Sequence, residues 1–244
     1  MSLISVIMPY YKKKKYLEKS ILSVLSQTYK NFEIILINDD PNEDKNFLIN
    51  IKKLDNRIII LHNKIRLGAG FSRNKGIKRA KGNYLAFLDC DDYWHKDKLR
   101  KQLNFMIKNS KSFSHTSYKI INANGNIVGE RIAKKKLCFK NLISSCDIGL
   151  STVMLKKDLM NTEMFPKLKT KEDYVLWLKL AKKNIEIVGL KNFFTYWRKL
   201  DDSLSSHIIQ KICDGFKVYK IFMGYNSLKS FILLFVLSIN SLKK

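Results

Sequence analysis

Three carboxylates close an apolar run in the stretch Tyr84-Leu85-Ala86-Phe87-Leu88-Asp89-Cys90-Asp91-Asp92-Tyr93-Trp94. The run follows a Gly82-Asn83 turn and reads as a buried strand. Asp is depleted inside strands, so Asp89, Asp91 and Asp92 fall at its carboxyl end. That is the end at which open α/β sheets bind ligands. On extended backbone Asp89 and Asp91, two positions apart, point to the same side. Two carboxylates aimed at one point repel unless a cation lies between them. A hard divalent ion such as Mn²⁺ or Mg²⁺, shared with substrate phosphates, suits such a pair. A lone Asp-x-Asp reads as a solvated loop, but three acids capping one buried strand favour a site. An EF-hand does not fit: Tyr93 and Trp94 occupy positions that need an oxygen ligand and a turn Gly.

Two more acidic positions could share the work. Phe32–Ile37 reads as a strand that ends in Asn38-Asp39-Asp40-Pro41. Asp39 there could accept from the N–H and hydroxyl groups of a base and ribose, or be a turn residue before Pro41. Glu172-Asp173 precedes a helical stripe of Tyr174, Trp177, Leu178 and Ala181. These acids either complement the helix dipole or supply a general base facing the metal site. Lys12 to Lys15 read as a solvated helix entry rather than a phosphate site.

Alternating elements must position these groups. Strands are predicted at Ser5–Met8, Phe32–Ile37, Arg57–Leu61 and Tyr84–Leu88. Helical stripes lie between and after them: Leu17, Ile21, Val24 and Leu25; Phe47, Leu48, Ile51 and Leu54; Phe71 to Ala80; and Leu99, Leu103 and Ile107. Strand–helix alternation over about the first hundred residues calls for an α/β fold, a mainly parallel sheet with helices on both faces. The second half reads as mixed α+β. A hairpin joins Ser117–Ile121 to Ile127–Val128 across Asn122–Asn126, and strands are predicted at Thr152–Leu155, Ile185–Leu190 and Phe193–Trp197.

The 244 residues are 45% hydrophobic, enough for a sizeable core. Cys90, Cys138, Cys146 and Cys213 show no C-x-x-C pairing, which suits a reducing compartment without disulfide frame or zinc site. No signal peptide and no membrane-spanning run is visible. Lys and Arg number 46 against 21 acids, a formal charge of +25, which favours a polyanionic partner, even allowing for a lysine-rich composition. Nucleic acid is disfavoured because the lysines are dispersed and most aromatics fall in apolar stripes. No P-loop, nucleophile elbow or zincin motif occurs, and the four histidines lack ligand spacing. Phe231–Leu237 is a strongly apolar segment with Lys229 before it and Lys243-Lys244 after it. It would either lie in a membrane interface with lysines on anionic headgroups or dock on the core as a helix.

Taken in order, Val6-Ile7-Met8-Pro9-Tyr10-Tyr11, Ser26-Gln27-Thr28-Tyr29, Asn38-Asp39-Asp40, Ser72-Arg73-Asn74-Lys75-Gly76, Phe87-Leu88-Asp89-Cys90-Asp91-Asp92 and Glu172-Asp173-Tyr174-x-x-Trp177 resemble the motif series of family 2 glycosyltransferases, over about Ser5 to Ser205. The resemblance implies a GT-A fold in residues 1–205, with a donor-binding half (1–110) and an acceptor-binding half (111–205), followed by a C-terminal extension in 206–244. It also implies a nucleotide-sugar donor and an inverting transfer. Carried over, Pro9, Tyr10 and Asp39 line the nucleotide pocket and Arg73 sits near the donor. Asp89-Cys90-Asp91 matches the family's Asp-x-Asp motif, with Asp91 and then Asp89 on Mn²⁺ or Mg²⁺. Asp173 matches the base, and Arg198, before Ser203-Leu204-Ser205, would contact phosphate or acceptor. Asn38 and Asp40-Pro41 depart from the common Asp-Asp-Gly-Ser, Cys90 replaces a common Ser, and Leu200 stands where a His is frequent. Basic charge and the apolar C-terminal segment suit a lipid-linked glycan acceptor at the inner face of a bacterial cytoplasmic membrane. A non-catalytic nucleotide-sugar-binding or nucleic-acid-binding protein is the competing class.

Overall fold

The computed structural model describes residues 2–200 and 208–242. Its first half alternates as the apolar spacing requires: β1 (Ile4–Tyr10), α1 (Lys14–Leu25), β2 (Phe32–Asn38), α2 (Lys45–Lys53), β3 (Ile58–His62), α3 (Ala69–Arg79) and β4 (Tyr84–Phe87). After β4 come a two-residue strand β5 (Tyr93–Trp94), α4 (Lys98–Lys108), β6 (Phe113–Ile121), β7 (Ile127–Arg131), β8 (Lys136–Leu137) and α5 (Phe139–Leu142). The chain continues through β9 (Met154–Lys156), α6 (Glu172–Lys182), β10 (Ile187–Arg198), α7 (Ile208–Lys217) and α8 (Ser227–Leu242).

Among the described residues the strands form one sheet in the order β3-β2-β1-β4-β9-β6-β10-β5, with β7 on β6 and β8 on β10. The pairs of β1 with β2, β1 with β4 and β2 with β3 are parallel. β9 runs antiparallel between β4 and β6, so the second half extends the sheet of the first. Alternate residues of each central strand face opposite layers. Val6 and Met8 of β1 meet Leu17 and Ile21 of α1, Leu48 of α2 and Leu99 and Leu103 of α4 on one face. Ile7, Leu85 and Phe87 meet Ile77 of α3 and Tyr174 and Trp177 of α6 on the other.

Several expectations are corrected. The strands expected at Ile185–Leu190 and Phe193–Trp197 are one strand, β10, whose pairing with β6 slips between Leu190 and Phe193 and again before Thr195. The extra residues are absorbed in the bulge, which keeps the strand continuous while bending it. Thr152 belongs to a 3-10 turn (Leu150–Thr152) rather than to β9. On α4 the third buried apolar position is Met106, and Ile107 is exposed, because a step of three from Leu103 reaches the core-facing side as well as a step of four. Leu54 lies just past α2 and is exposed. The C-terminal apolar segment docks by one face: Leu234 and Leu237 of α8 join the core layer that holds α6. No described helix is long and apolar enough to cross a membrane.

Candidate active site

The carboxyl ends of β1, β2 and β4, together with the start of α6, surround a cleft of about 480 Å³. All nine residues singled out in the sequence line it: Pro9, Tyr10, Asp39, Arg73, Asp89, Cys90, Asp91, Asp173 and Arg198. They come from six separate stretches of chain, and the parallel sheet is what gathers them at one end.

Arg73, on α3, organises the centre. It is almost fully buried; one guanidinium nitrogen donates to Asp89 Oδ1 at 2.7 Å and another to Glu172 Oε1 at 2.7 Å. Burial alone would lower its pKa, but the two carboxylates more than offset that and hold it above its ordinary value. Its Nε has no hydrogen-bond partner among the described residues. This one side chain therefore clips the acidic loop after β4 to the first turn of α6. Its neighbour Asn74 fixes the approach to α6, donating to Phe165 O at 2.8 Å and accepting from Phe165 N at 3.0 Å.

The acids after β4 divide by partner. Asp92 is buried; its Oδ2 accepts from Ser151 Oγ at 2.6 Å and its Oδ1 from Arg198 N at 2.8 Å. Ser151 Oγ also accepts from Asp89 N at 3.1 Å, so Asp92 and Ser151 set the loop's shape. Asp91 faces the cleft instead. Burial and the neighbouring Asp89 charge push its pKa up to about 6, against the opposing pull of Lys13 and Arg198. Cys90, buried between them, has its thiol pushed up by burial and by the flanking acids, so it stays protonated.

At the start of α6, Lys171 takes the left-handed conformation (φ 63°) and turns Glu172 and Asp173 into the first helical turn. Glu172 is committed to Arg73. Asp173 is half-buried and packed among protein atoms; burial and the Glu172 charge push its pKa up to about 7. A carboxylate tuned near neutrality at the floor of a cleft is suited to taking a proton.

Other predicted residues have roles that their spacing did not reveal. Asp39 is buried, and its oxygens accept from Leu67 N (2.7 Å), Gly68 N (2.8 Å) and Asn63 Nδ2 (2.8 Å). It shapes the loop after β3, where Gly68 adopts φ 87°, a region open mainly to glycine. Tyr10 lines the cleft, but its phenol turns inward to Glu43 Oε2 beside the Phe47 ring. Arg198 is nearly buried, with Nε on Asp91 O (3.0 Å) and a terminal nitrogen on Asn122 O and Ala123 O (2.9 Å each). It braces the Asp91 loop from the end of β10. Ser203-Leu204-Ser205, expected beside it, lie outside the described residues.

The cleft also holds residues the sequence reading missed or placed elsewhere. Tyr11 and Arg66 stack at its wall, the guanidinium 3.9 Å from the ring centre, forming a flat platform. Lys12 and Lys13, expected on a solvated face, line the wall, because the left-handed turn at Lys12 (φ 52°) carries the chain around the rim before α1 begins. Lys169 and Lys171 line the cleft as well. The clustering of Lys12-Lys13 just after a strand end was the available signal.

Comparisons with known proteins agree with this geometry. The profile of Glycosyl transferase family 2 matches residues 5–165. A UDP-Glc:alpha-D-GlcNAc-diphosphoundecaprenol beta-1,3-glucosyltransferase of Escherichia coli, WfgD, is 38% identical over 211 residues, 86% of this chain and 82% of its own length. A second Escherichia coli enzyme of the same description, WfaP, is 35% identical over all of this chain and 96% of its own. The putative teichuronic acid biosynthesis glycosyltransferase TuaG of Bacillus subtilis is 35% identical, covering 84% of this chain and 82% of its own. Among solved structures, S. aureus TarS (residues 1–349, with UDP-GlcNAc) superposes with a TM-score of 0.74 over 96% of this chain and 70% of that one; at 22% identity that likeness is one of fold, the GT-A fold. A profile match over most of the chain, relatives alike along nearly its whole length and a GT-A sheet with an acidic cleft at its carboxyl end agree: the chain belongs to glycosyltransferase family 2.

Proposed function

We propose that this glycosyltransferase moves a sugar from a UDP-sugar to a hydroxyl of a lipid-linked glycan, with inversion, in bacterial surface-polysaccharide synthesis at the inner face of the cytoplasmic membrane. The observation that carries the reading is the Arg73 clip. It ties Asp89, beside Asp91, to Glu172, beside Asp173, across one cleft. Relatives that match along nearly the whole chain carry UDP-Glc and a diphosphoundecaprenol-linked GlcNAc in their names, which supports the donor and acceptor classes.

In this reading Tyr11 and Arg66 offer a stacking face to the base, and the donor's diphosphate lies against Lys12 and Lys13. Asp39 holds the Leu67–Gly68 loop against the nucleotide and keeps unused acceptor capacity at Oδ2. The residues present fit a divalent cation. Burial first, and the facing Asp89 charge second, push Asp91 up to about 6, and Asp89 has one oxygen outside its contact with Arg73. Asp91 and Asp89 would hold it; when bound, Mn²⁺ or Mg²⁺ supplies positive charge against the leaving diphosphate. Asp173 takes the proton of the acceptor hydroxyl as its oxygen bonds to the anomeric carbon and the bond from that carbon to the diphosphate oxygen breaks. A single displacement of this kind inverts the centre and needs no nucleophilic Ser or Cys.

The test is UDP release by purified protein with UDP-, GDP-, dTDP- and CMP-sugars, with and without lipid-linked acceptor, in Mn²⁺, Mg²⁺ or chelator. Release confined to a UDP-sugar, needing acceptor, metal and Asp91, supports the reading. Full activity in chelator removes the metal role, and retention of the anomeric configuration in the product removes the single displacement.

A further inference from the structure

The last two helices are each two-faced. α7 buries Asp214 and Gly215, and α8 buries Ser230, Leu234 and Leu237. A Cβ at position 215 would stand 2.6 Å from Leu234 Cδ1, so the two helices pack closely at this glycine. Their outer faces are as apolar as their inner ones. On α7, Ile208, Ile209 and Ile212 are 50–80% exposed. On α8, Leu228, Phe231, Ile232 and Phe235, spaced as one helical stripe, are 55–71% exposed. The Phe216 and Phe231 rings meet at 4.6 Å and join the two stripes into one surface. A contiguous apolar patch of this kind on a folded domain marks a surface that is covered in use.

The charge around it selects the cover. From residue 208 to the end, the chain carries Lys211, Lys217, Lys220, Lys229, Lys243 and Lys244 against a single acid, Asp214. That acid is buried, accepting from Thr170 N and Oγ1 at 3.0 Å each. Apart from the buried Asp214, residues 208–242 carry only lysine charge, and an apolar face on such a segment repels a second copy of itself and suits a bilayer with anionic headgroups. α7 and α8, of 10 and 16 residues, are too short to cross a bilayer. Through Asp214 the surface is also tied to the cleft: Thr170 and Lys171 are on its rim, directly before Glu172 and Asp173.

We infer that the outer face of α7 and α8 seats the protein on an anionic bilayer and brings the acceptor side of the cleft to the lipid surface. This rests on the reading of a lipid-linked acceptor. The glycan headgroup then reaches Asp173 while its lipid remains in the membrane. Soluble donor enters from the opposite wall, by Tyr11 and Arg66.

The experiment is co-sedimentation of the full chain with phosphatidylcholine vesicles and with vesicles containing phosphatidylglycerol, at low and high salt. Wild type is compared with the double variant Ile232→Glu/Phe235→Glu and with Ile127→Glu, an exposed isoleucine on β7. Wild type and Ile127→Glu are expected on phosphatidylglycerol vesicles, weakened by salt, and the double variant bound about tenfold less or worse. UDP affinity by calorimetry and transfer to a short-chain soluble acceptor should be equal in all three, so loss of these alone counts against the catalytic reading and not against the membrane face. Equal vesicle binding by the double variant, no binding by wild type, or a dimer in solution that the glutamates dissociate would overturn the inference.

Discussion

Two acidic clusters face one another across the cleft, and each splits its labour in the same way. After β4 burial raises the pKa of both acids, but Asp92 is held by Ser151 Oγ and the Arg198 amide, while Asp91 faces the cleft. At the start of α6, Glu172 is engaged by Arg73, while Asp173 is left with a raised pKa. One acid in each pair is committed to a partner that fixes the fold, and the other lines the cleft with a charge that burial makes costly, even though Asp173 also accepts from Tyr174 N at 2.7 Å. Which acid does which is decided by its neighbours: a hydroxyl and an amide in one case, a guanidinium in the other.

The largest expected effect separates the two members of the second pair. Asp173→Asn should lower transfer by about 10²–10⁴-fold while UDP affinity holds, since a general base contributes on that scale. The same variant should melt higher than wild type, and the gain should be larger at pH 8 than at pH 5. Asp173 has its folded pKa raised to about 7, so it is neutral at pH 5 and a destabilising buried charge at pH 8, a cost Asn never carries. Unchanged transfer rates in Asp173→Asn would assign the base elsewhere.

Next comes the first cluster. Asp91→Ala should abolish the metal dependence of UDP binding measured by calorimetry and cut transfer by about 10²-fold or more, on the scale of a lost electrostatic contact at the leaving group. Asp92→Asn should act mainly on stability, because that side chain is spoken for by Ser151 and Arg198.

Arg73→Met probes what joins the clusters. It leaves Glu172 buried and unpaired and Asp89, a third exposed, with less compensation. Urea unfolding should show a loss on the order of 3 kcal/mol, near the low end for breaking a buried ion pair. Asp173 should titrate higher as well, since Arg73 now pulls its pKa down. The pH profile reports this directly. In wild type log(kcat/KM) should climb with unit slope as pH rises towards about 7 and level above it, as Asp173 loses its proton. In Arg73→Met the break should move to higher pH.

The smallest effect is expected at Ser151→Ala, which removes a donor to Asp92 and an acceptor for Asp89 N. Differential scanning calorimetry should show a loss of about 1–2 kcal/mol, with donor binding weakened severalfold.

The sheet was legible because its strands are short apolar runs, each ending where the polar residues begin, and that pattern is local. Asp89, Asp91 and Asp173 were legible as residue types at element ends. Their partners were not. Arg73 and Glu172 stand 99 residues apart, and nothing in either neighbourhood says that they meet. β10 read as two strands, Ile185–Leu190 and Phe193–Trp197, and only the bulge against β6 shows the strand to be continuous. Lys12 and Lys13 read as a solvated helix entry, and Lys12 is indeed exposed; their place on the cleft wall depends on the left-handed turn at Lys12, which a run of charge does not reveal.

The engagement of Asp39 by Leu67 N, Gly68 N and Asn63 has a consequence for how this cleft answers to mutagenesis. Arg66, whose guanidinium completes the platform with Tyr11, sits directly before the two amides that Asp39 holds. Loss of that carboxylate releases the loop and the platform together. A deep mutational scan would therefore score Asp39 as strictly as a ligand contact even if no ligand atom ever touched it, and intolerance at this position measures the loop's architecture rather than recognition.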